Sequence, residues 1–102
     1  MWQSKEVRFP ANHPTAAGHF PARPIIPGVL LLDEAIKLAL ADAEGTQATV
    51  VRAAKFHGPV RPGDVVVILW EIQAHSTIRF ECRLAAGNTL VASGTLETET
   101  AR

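Results

Sequence analysis

The chain has 102 residues, which is enough for one domain, and a domain of this size buries only roughly two thirds of its unfolded surface. Its ten basic and ten acidic residues cancel, so the charge gives no reason to expect a nucleic-acid or other polyanionic partner. We therefore predict a single domain over residues 1–102 that gains stability by forming oligomers.

The apolar segments indicate a protein that does not cross or bind a membrane. The longest apolar run falls far short of the roughly 20 residues that span a bilayer, and the start, MWQSKEV, contains no apolar signal region. Cys82 is the only cysteine, which excludes an internal disulfide and a thiolate metal cluster. We predict a cytoplasmic location.

The first part of the chain predicts a short strand followed by a loop. Residues 5–9 (KEVRF) alternate weakly between polar and apolar, as a strand does. Pro10, Asn12 and Pro14 then indicate a loop that leads to His19.

The next segment, HFPARPIIPG, should be extended and stiff. Phe20, Arg23 and Ile26 each precede a proline, which disfavours helical backbone angles. A helix should therefore begin no earlier than about Pro27, and proline suits a first helical position.

The run from Val29 to Ala43 predicts a long helix. It is apolar on nearly every face, which is typical of a helix buried on most sides. Gly45 is expected just beyond its end, at C′. Its polar side chains are Asp33, Glu34, Lys37 and Asp42.

The rest of the chain predicts strands. Thr46–Phe56 is β-branched and apolar, Val65–Trp70 is a continuous apolar run, and two later segments alternate. Short turns make neighbouring strands antiparallel. We predict an α+β fold in which about five antiparallel strands curl around one long helix. The apolar positions of the two alternating segments are Ile78, Phe80, Cys82 and Leu84, then Leu90, Ala92, Gly94 and Leu96.

Two segments carry a family resemblance. GHFPARPIIPGVLLLDEA resembles the signature of the 3-hydroxyacyl-acyl carrier protein dehydratases, and KFHGPVRPGD resembles the stretch that follows their third strand. The resemblance implies the hot-dog fold and dehydration of a 3-hydroxyacyl thioester to the trans-2-enoyl thioester in fatty acid, polyketide or related synthesis. It implies a catalytic pair, His19 with Asp33 fourteen residues later, shared between the two subunits of a homodimer. It implies acyl carrier protein or coenzyme A as the carrier, and no cofactor.

The chemistry supports these positions. Eliminating water requires a base for a weakly acidic C–H, a group that holds or protonates the hydroxyl, and stabilisation of charge on the thioester oxygen. His19 suits the first task because histidine titrates near neutrality, and Asp33 suits the second. The amides of Gly28 and Val29, at the positive end of the helix, suit the third.

Further contacts follow from the resemblance. Phe20 and Pro27 are expected beside the substrate. Arg23, Lys55 and Arg61 are expected around the mouth of the site, where they meet an acidic carrier protein. His13, His57 and His75 have no metal-ligand spacing with His19, so no zinc site is expected.

Plainer interpretations stay open at the same residues. His19 can be a solvated loop residue, and Gly28 a turn residue. Asp33 and Lys37 can form an ordinary surface ion pair at i, i+4, in which case Glu34 is the alternative acid.

The chain also departs from the family. Full-length dehydratases begin with an additional helix and strand, and a glycine is usual at the position of Ala22. Aspartate rather than glutamate at position 33 resembles the branch that also isomerises the double bond. Lys37 replaces a glutamine, and a cation there favours an ionised Asp33 that binds a hydroxyl rather than protonating it.

Two other functions remain as alternatives. A thioesterase on the same scaffold would use a carboxylate to activate water. A non-catalytic subunit would bind an acyl carrier and pair with a full-length enzyme.

Overall fold

The computed structural model describes residues 2–9, 25–43, 45–73 and 76–100. Within these residues the chain forms one helix and five strands. In chain order they are β1 (Gln3–Arg8), α1 (Gly28–Asp42), β2 (Thr46–Phe56), β3 (Val65–Gln73), β4 (Thr77–Leu84) and β5 (Leu90–Thr100).

The strands form one sheet in the order β1-β3-β4-β5-β2, and every neighbouring pair is antiparallel. The helix packs against β2, β3, β4 and β5. The predicted antiparallel sheet around a central helix is therefore confirmed.

The core lies between the helix and one face of the sheet. Leu31, Ala35 and Ala39 recur every four residues, so they lie on one side of α1, and all three are buried. The two alanines let the helix backbone approach the sheet closely. The strand residues that they face are fully or nearly fully buried and include Val66, Ile68, Trp70, Ile78, Phe80, Cys82, Ala92 and Leu96.

Cys82 occupies the core side of β4, as its place in the alternating pattern predicts. Its side chain is fully buried. Burial raises the pKa of the thiol to about 12, because the apolar surroundings disfavour the thiolate.

The helix begins and ends close to the predicted positions. Pro27 is the N-cap residue and Gly28 the first helical residue, so the helix starts one residue after Pro27, the earliest start that the sequence predicts. The C-cap is Ala43, which means that Gly45, with φ of 82°, lies one residue beyond the predicted C′ position. Proline therefore marks the start, and glycine the turn after the end.

One prediction about the helix is wrong for a single copy of the chain. The helix is not buried on most sides, because Val29 is 63% exposed and Asp33, Lys37 and Ala41 are also exposed. These four residues recur every four positions and form one stripe, which we call the exposed helix stripe. The sheet curls over only one side of an almost uniformly apolar helix.

Strand β2 lies at an edge of the sheet and is unusually open. Its described side chains from Val50 to Phe56 are all exposed, and they include the apolar residues Val50, Val51 and Phe56. Edge strands present unpaired backbone groups to any further strand. An apolar edge of this kind is typical of a surface that another chain covers.

Candidate active site at the helix N-terminus

An open groove of about 520 Å³ lies at the start of α1. The two segments that carry the family resemblance form its walls. The first contributes Ile25, Ile26, Gly28, Val29 and Leu31, and the second contributes residues 56–60. Parts of the chain about 30 residues apart in sequence therefore build one site.

A short backbone bridge holds the two walls together. The amide of Ile26 donates a hydrogen bond to the carbonyl oxygen of Val60 at 2.7 Å, and the two residues pair as an isolated antiparallel bridge. Both side chains are almost fully buried. The bridge fixes the extended segment before the helix against the connector after β2.

The Phe56 ring occupies the space that a side chain on Gly28 would need. A Cβ atom placed on Gly28 would lie 2.8 Å from Cδ1 and Cε1 of the Phe56 ring, so either the ring or the start of the helix would have to shift to admit a side chain. The position of this ring therefore accounts for a glycine at position 28. Phe56 remains 54% exposed and forms one rim of the groove.

The helix presents free backbone donors to this groove. Pro27 makes no side-chain cap, and the first hydrogen bond of the helix runs from the amide of Leu30 to the carbonyl of Pro27 at 3.0 Å. The amides of Gly28 and Val29 precede that bond and have no acceptor within the helix. They lie at the positive end of the helix dipole, so they are suited to bind a carbonyl oxygen.

Asp33 lies one helical turn beyond Val29, on the exposed helix stripe. Four residues of helix correspond to about 6 Å along the axis. Its Oδ2 atom is 2.9 Å from Nζ of Lys37, so the i, i+4 ion pair considered from the sequence is present. The side chains of Asp33 and Lys37 are 53% and 66% exposed, respectively. Glu34, the alternative acid, is half-buried on a neighbouring part of the helix.

The predicted carrier contacts lie in two places. Arg61 is exposed directly after Val60, where its amide donates to Oδ2 of Asp64 at 2.9 Å in a tight turn. Lys55 lies on the opposite face of the sheet from Phe56, in a shallow depression that Arg79 and Ser93 also line. Of these two described cations, Arg61 is therefore the one next to the groove, and the role of both stays a prediction.

His57 follows Phe56 at the end of β2. Its amide donates to the carbonyl of Val91 at 2.8 Å, and its Nε2 atom is 3.1 Å from Oγ of Ser93. These bonds attach the groove wall to β5 and so help to fix the position of the neighbouring Phe56.

Some predicted site residues lie outside the described residues, namely His19, Phe20 and Arg23. Within the described ranges, no group of three or more histidine, cysteine, aspartate or glutamate side chains is arranged to hold a metal ion. The same part of the chain contains no helix that is long and apolar enough to span a membrane.

Sequence reasoning did not anticipate the role of Phe56 or the bridge between Ile26 and Val60. The signal was present, because Phe56 belongs to the second resembling segment and directly precedes its turn. Nothing local shows that its ring covers Gly28, 28 residues earlier.

Comparison with protein families decides the assignment. Residues 3–95 match the family model described as ApeI-like, ApeI dehydratase. The chain belongs to the ApeI-like dehydratase family.

Curated relatives agree with this family. The chain is 35% identical over 101 residues to the 3-hydroxyacyl-acyl-carrier-protein dehydratase FabZ of Ehrlichia canis, covering 86% of this chain and 67% of the relative. It is 34% identical over 108 residues to the FabZ of Wolbachia from Brugia malayi, covering 90% and 70%, respectively. The chain thus spans about two thirds of the length of these dehydratases.

Solved structures show the same fold. The dehydratase heterocomplex ApeI:P from Xenorhabdus doucetiae matches with a TM-score of 0.84 at 20% identity, covering 95% of this chain and 86% of the other. An acyl-CoA hydrolase from Staphylococcus aureus matches with a TM-score of 0.76 at 15% identity, covering 97% and 62%.

The predicted family, the hot-dog fold and the 3-hydroxyacyl-acyl carrier protein dehydratase activity are confirmed by these matches. The structural likeness to a hydrolase shows that the fold alone does not fix the reaction.

Proposed function

We propose that this dehydratase acts as a homodimer in which His19 of one copy and Asp33 of the other remove water from a 3-hydroxyacyl thioester. The observation that carries the proposal is the groove at the start of α1. It combines apolar walls, free helix amides and a carboxylate one turn away.

The apolar walls and the amides suit the two parts of the substrate. Ile25, Val29 and Phe56 supply a surface for an acyl chain. The amides of Gly28 and Val29 bind the thioester oxygen, where negative charge develops as the C2 proton is removed.

The reaction then needs only two side chains. The imidazole of His19 takes the proton from C2, the electron pair forms the C2–C3 double bond, and the C3–O bond breaks. The departing hydroxyl group takes this proton back from the imidazolium of His19 and leaves as water, so the imidazole returns to its neutral form. Asp33 holds this hydroxyl group, and His19 is suited to proton transfer because its ordinary pKa lies near neutrality.

A second copy completes the site. Among the described residues, the exposed helix stripe and the open edge of β2 are two surfaces next to the groove's elements that a single copy leaves uncovered. Covering them with a second copy would bury Val29, Val50 and Val51 and exclude water from Asp33. The ApeI:P complex and the coenzyme A complex of the acyl-CoA hydrolase support partner association and thioester binding on this fold.

Mixing two inactive variants tests both the residues and the dimer. His19→Ala and Asp33→Ala should each abolish formation of the enoyl thioester from 3-hydroxybutyryl thioesters. Heterodimers formed by unfolding and refolding the two together contain one site with both changes and one intact site. A random mixture should therefore recover about a quarter of wild-type activity.

Three results would contradict the proposal. Full activity in the His19→Ala variant, with circular dichroism unchanged, would remove the histidine from the mechanism. Failure of the mixture to recover activity, although heterodimers are isolated, would place both residues in the same copy. Free thiol released without a change in enoyl absorbance would identify a thioesterase.

A further inference from the structure

The ion pair between Asp33 and Lys37 has a definite geometry that bears on the site. A carboxylate has two oxygen atoms that accept hydrogen bonds. Lys37 contacts Oδ2 of Asp33 at 2.9 Å, and among the residues that the structure describes no other hydrogen bond or ion pair to this carboxylate is found. Oδ1 is therefore left available to a ligand.

Lys37 stays positively charged near neutral pH. The hydrogen bond that Lys37 donates to Asp33, together with the negative charge of Asp33, raises the pKa of the Lys37 ammonium group above its ordinary value of 10.5, and Glu34 adds a smaller contribution in the same direction. A group with a raised pKa is a poor proton donor near neutrality. Lys37 is therefore suited to hold Asp33 rather than to supply a proton.

The position of the pair also matters. Val29, Asp33 and Lys37 all lie on the exposed helix stripe, and Val29 lines the groove. A lysine one turn further from the groove approaches the carboxylate from the side away from the substrate. Side chains of a helix lean toward its N-terminus, so the Asp33 side chain leans toward the end of α1 that forms the groove.

We propose that Lys37 is a positioning residue that binds Oδ2 of Asp33 and leaves Oδ1 to accept a hydrogen bond from the 3-hydroxyl group of the substrate. The inference rests on the proposed function, because it assigns a task to Lys37 only if Asp33 binds that hydroxyl group. Lys37 itself does not touch the substrate.

A series of substitutions separates this role from a structural one. Lys37→Met removes the charge and the hydrogen bond but keeps an unbranched side chain. Lys37→Gln keeps a neutral donor, and Lys37→Arg keeps both the donor and the charge. We expect kcat to fall about 10-fold in Lys37→Met with KM within about twofold, because the lost contact orients a reacting group. Lys37→Arg should restore most of the rate, and Lys37→Gln part of it.

The ion pair between Arg83 and Glu81 provides a matched control. Its Nε–Oε1 distance is 3.0 Å, and both residues alternate on β4 with the buried Phe80 and Cys82, so they lie on the sheet face away from the helix. Arg83→Met should lower thermal stability at least as much as Lys37→Met, because Nη1 of Arg83 also donates to the carbonyl of Asn88 at 3.1 Å, but it should leave kcat unchanged.

The outcomes distinguish the inference from the proposed function. If wild-type protein produces enoyl thioester and Lys37→Met has the same kcat, the inference is overturned while the proposed function stands. An equal loss of kcat in Lys37→Arg and Lys37→Met would also overturn it. If wild-type protein produces no enoyl thioester from any chain length, the proposed function fails and the inference fails with it.

Discussion

The two ends of the helix are held in different ways. At the C-terminal end, side chains satisfy the helix: Nε1 of Trp70 donates to Oδ2 of Asp42 at 3.1 Å, and Oγ1 of Thr46 donates to the carbonyl of Ala43 at 2.6 Å. At the N-terminal end, Pro27 provides no side-chain cap, and the start of the helix is held by packing and by the Ile26–Val60 bridge.

This difference shows how one helix serves two purposes. The C-terminal end uses polar side chains to anchor α1 to β3 and β2. The N-terminal end is fixed without using the first amides, so they remain free to bind substrate. Changes at the two ends should therefore separate stability from activity.

The largest effect is expected from Gly28→Ala at the N-terminal end. The new methyl group would collide with the Phe56 ring, and overpacking of this kind costs about 1–3 kcal/mol. Displacement of the helix start should also lower kcat/KM by at least about 10-fold, because small misplacements are costly in catalysis. Chemical denaturation and steady-state kinetics measure the two losses.

The Phe56→Ala background checks the cause of that loss. Once the ring is absent, the same Gly28→Ala change should cost little stability, because alanine is the better helix former. If Gly28→Ala costs the same with and without the ring, the contact between the two residues is not the reason for the glycine.

A smaller, purely structural effect is expected from Asp42→Ala at the C-terminal end. Trp70 is 6% exposed, so its indole N–H would lose its partner in a largely buried position, at a cost of about 1–2 kcal/mol in the free energy of unfolding. Asp42→Asn keeps an acceptor oxygen and should recover most of this. Both variants should retain kcat within about twofold, since the change lies at the far end of the helix. A large loss of kcat would show that the two ends are not independent.

The smallest effect on stability is expected from Pro27→Ser. Serine would add a side-chain cap worth about 0.5–1 kcal/mol, which offsets the roughly equal loss of the rigid proline. Because the hydroxyl oxygen competes for the first amides of the helix, kcat/KM should fall about fivefold or more.

Pro27→Ala is the control for this substitution, since it removes the proline without adding a cap. A greater loss of kcat/KM in Pro27→Ala than in Pro27→Ser would show that rigidity, and not the free amides, is what the N-terminal end contributes.

The elements of the fold were predictable because their signals are local. Alternation identified β4 and the core side of Cys82, and prolines and glycine marked the helix ends to within one residue. The pair Asp33–Lys37 follows directly from i, i+4 spacing. Family resemblance then selected the groove at the start of the helix.

Two features could not be predicted from the sequence, for physical reasons. The contact between Gly28 and Phe56 depends on how the helix sits on the sheet, which no local pattern reports. The expectation that α1 is buried on most sides was wrong for a single copy. An apolar helix surface indicates that burial is favourable, but it does not indicate whether the same chain or a second chain buries it.

The buried Cys82 makes this protein convenient for the thiol assay that distinguishes a dehydratase from a thioesterase. Reagents that colour on contact with free sulfhydryl groups attack the thiolate, and the sole sulfhydryl of this chain is enclosed and protonated. With a folded sample, the absorbance of the reagent therefore measures only the thiol released from cleaved thioester. Without substrate, the same reagent reacts only when the core opens and exposes Cys82. The rate of colour formation then measures unfolding of the core, with one reactive thiol per chain.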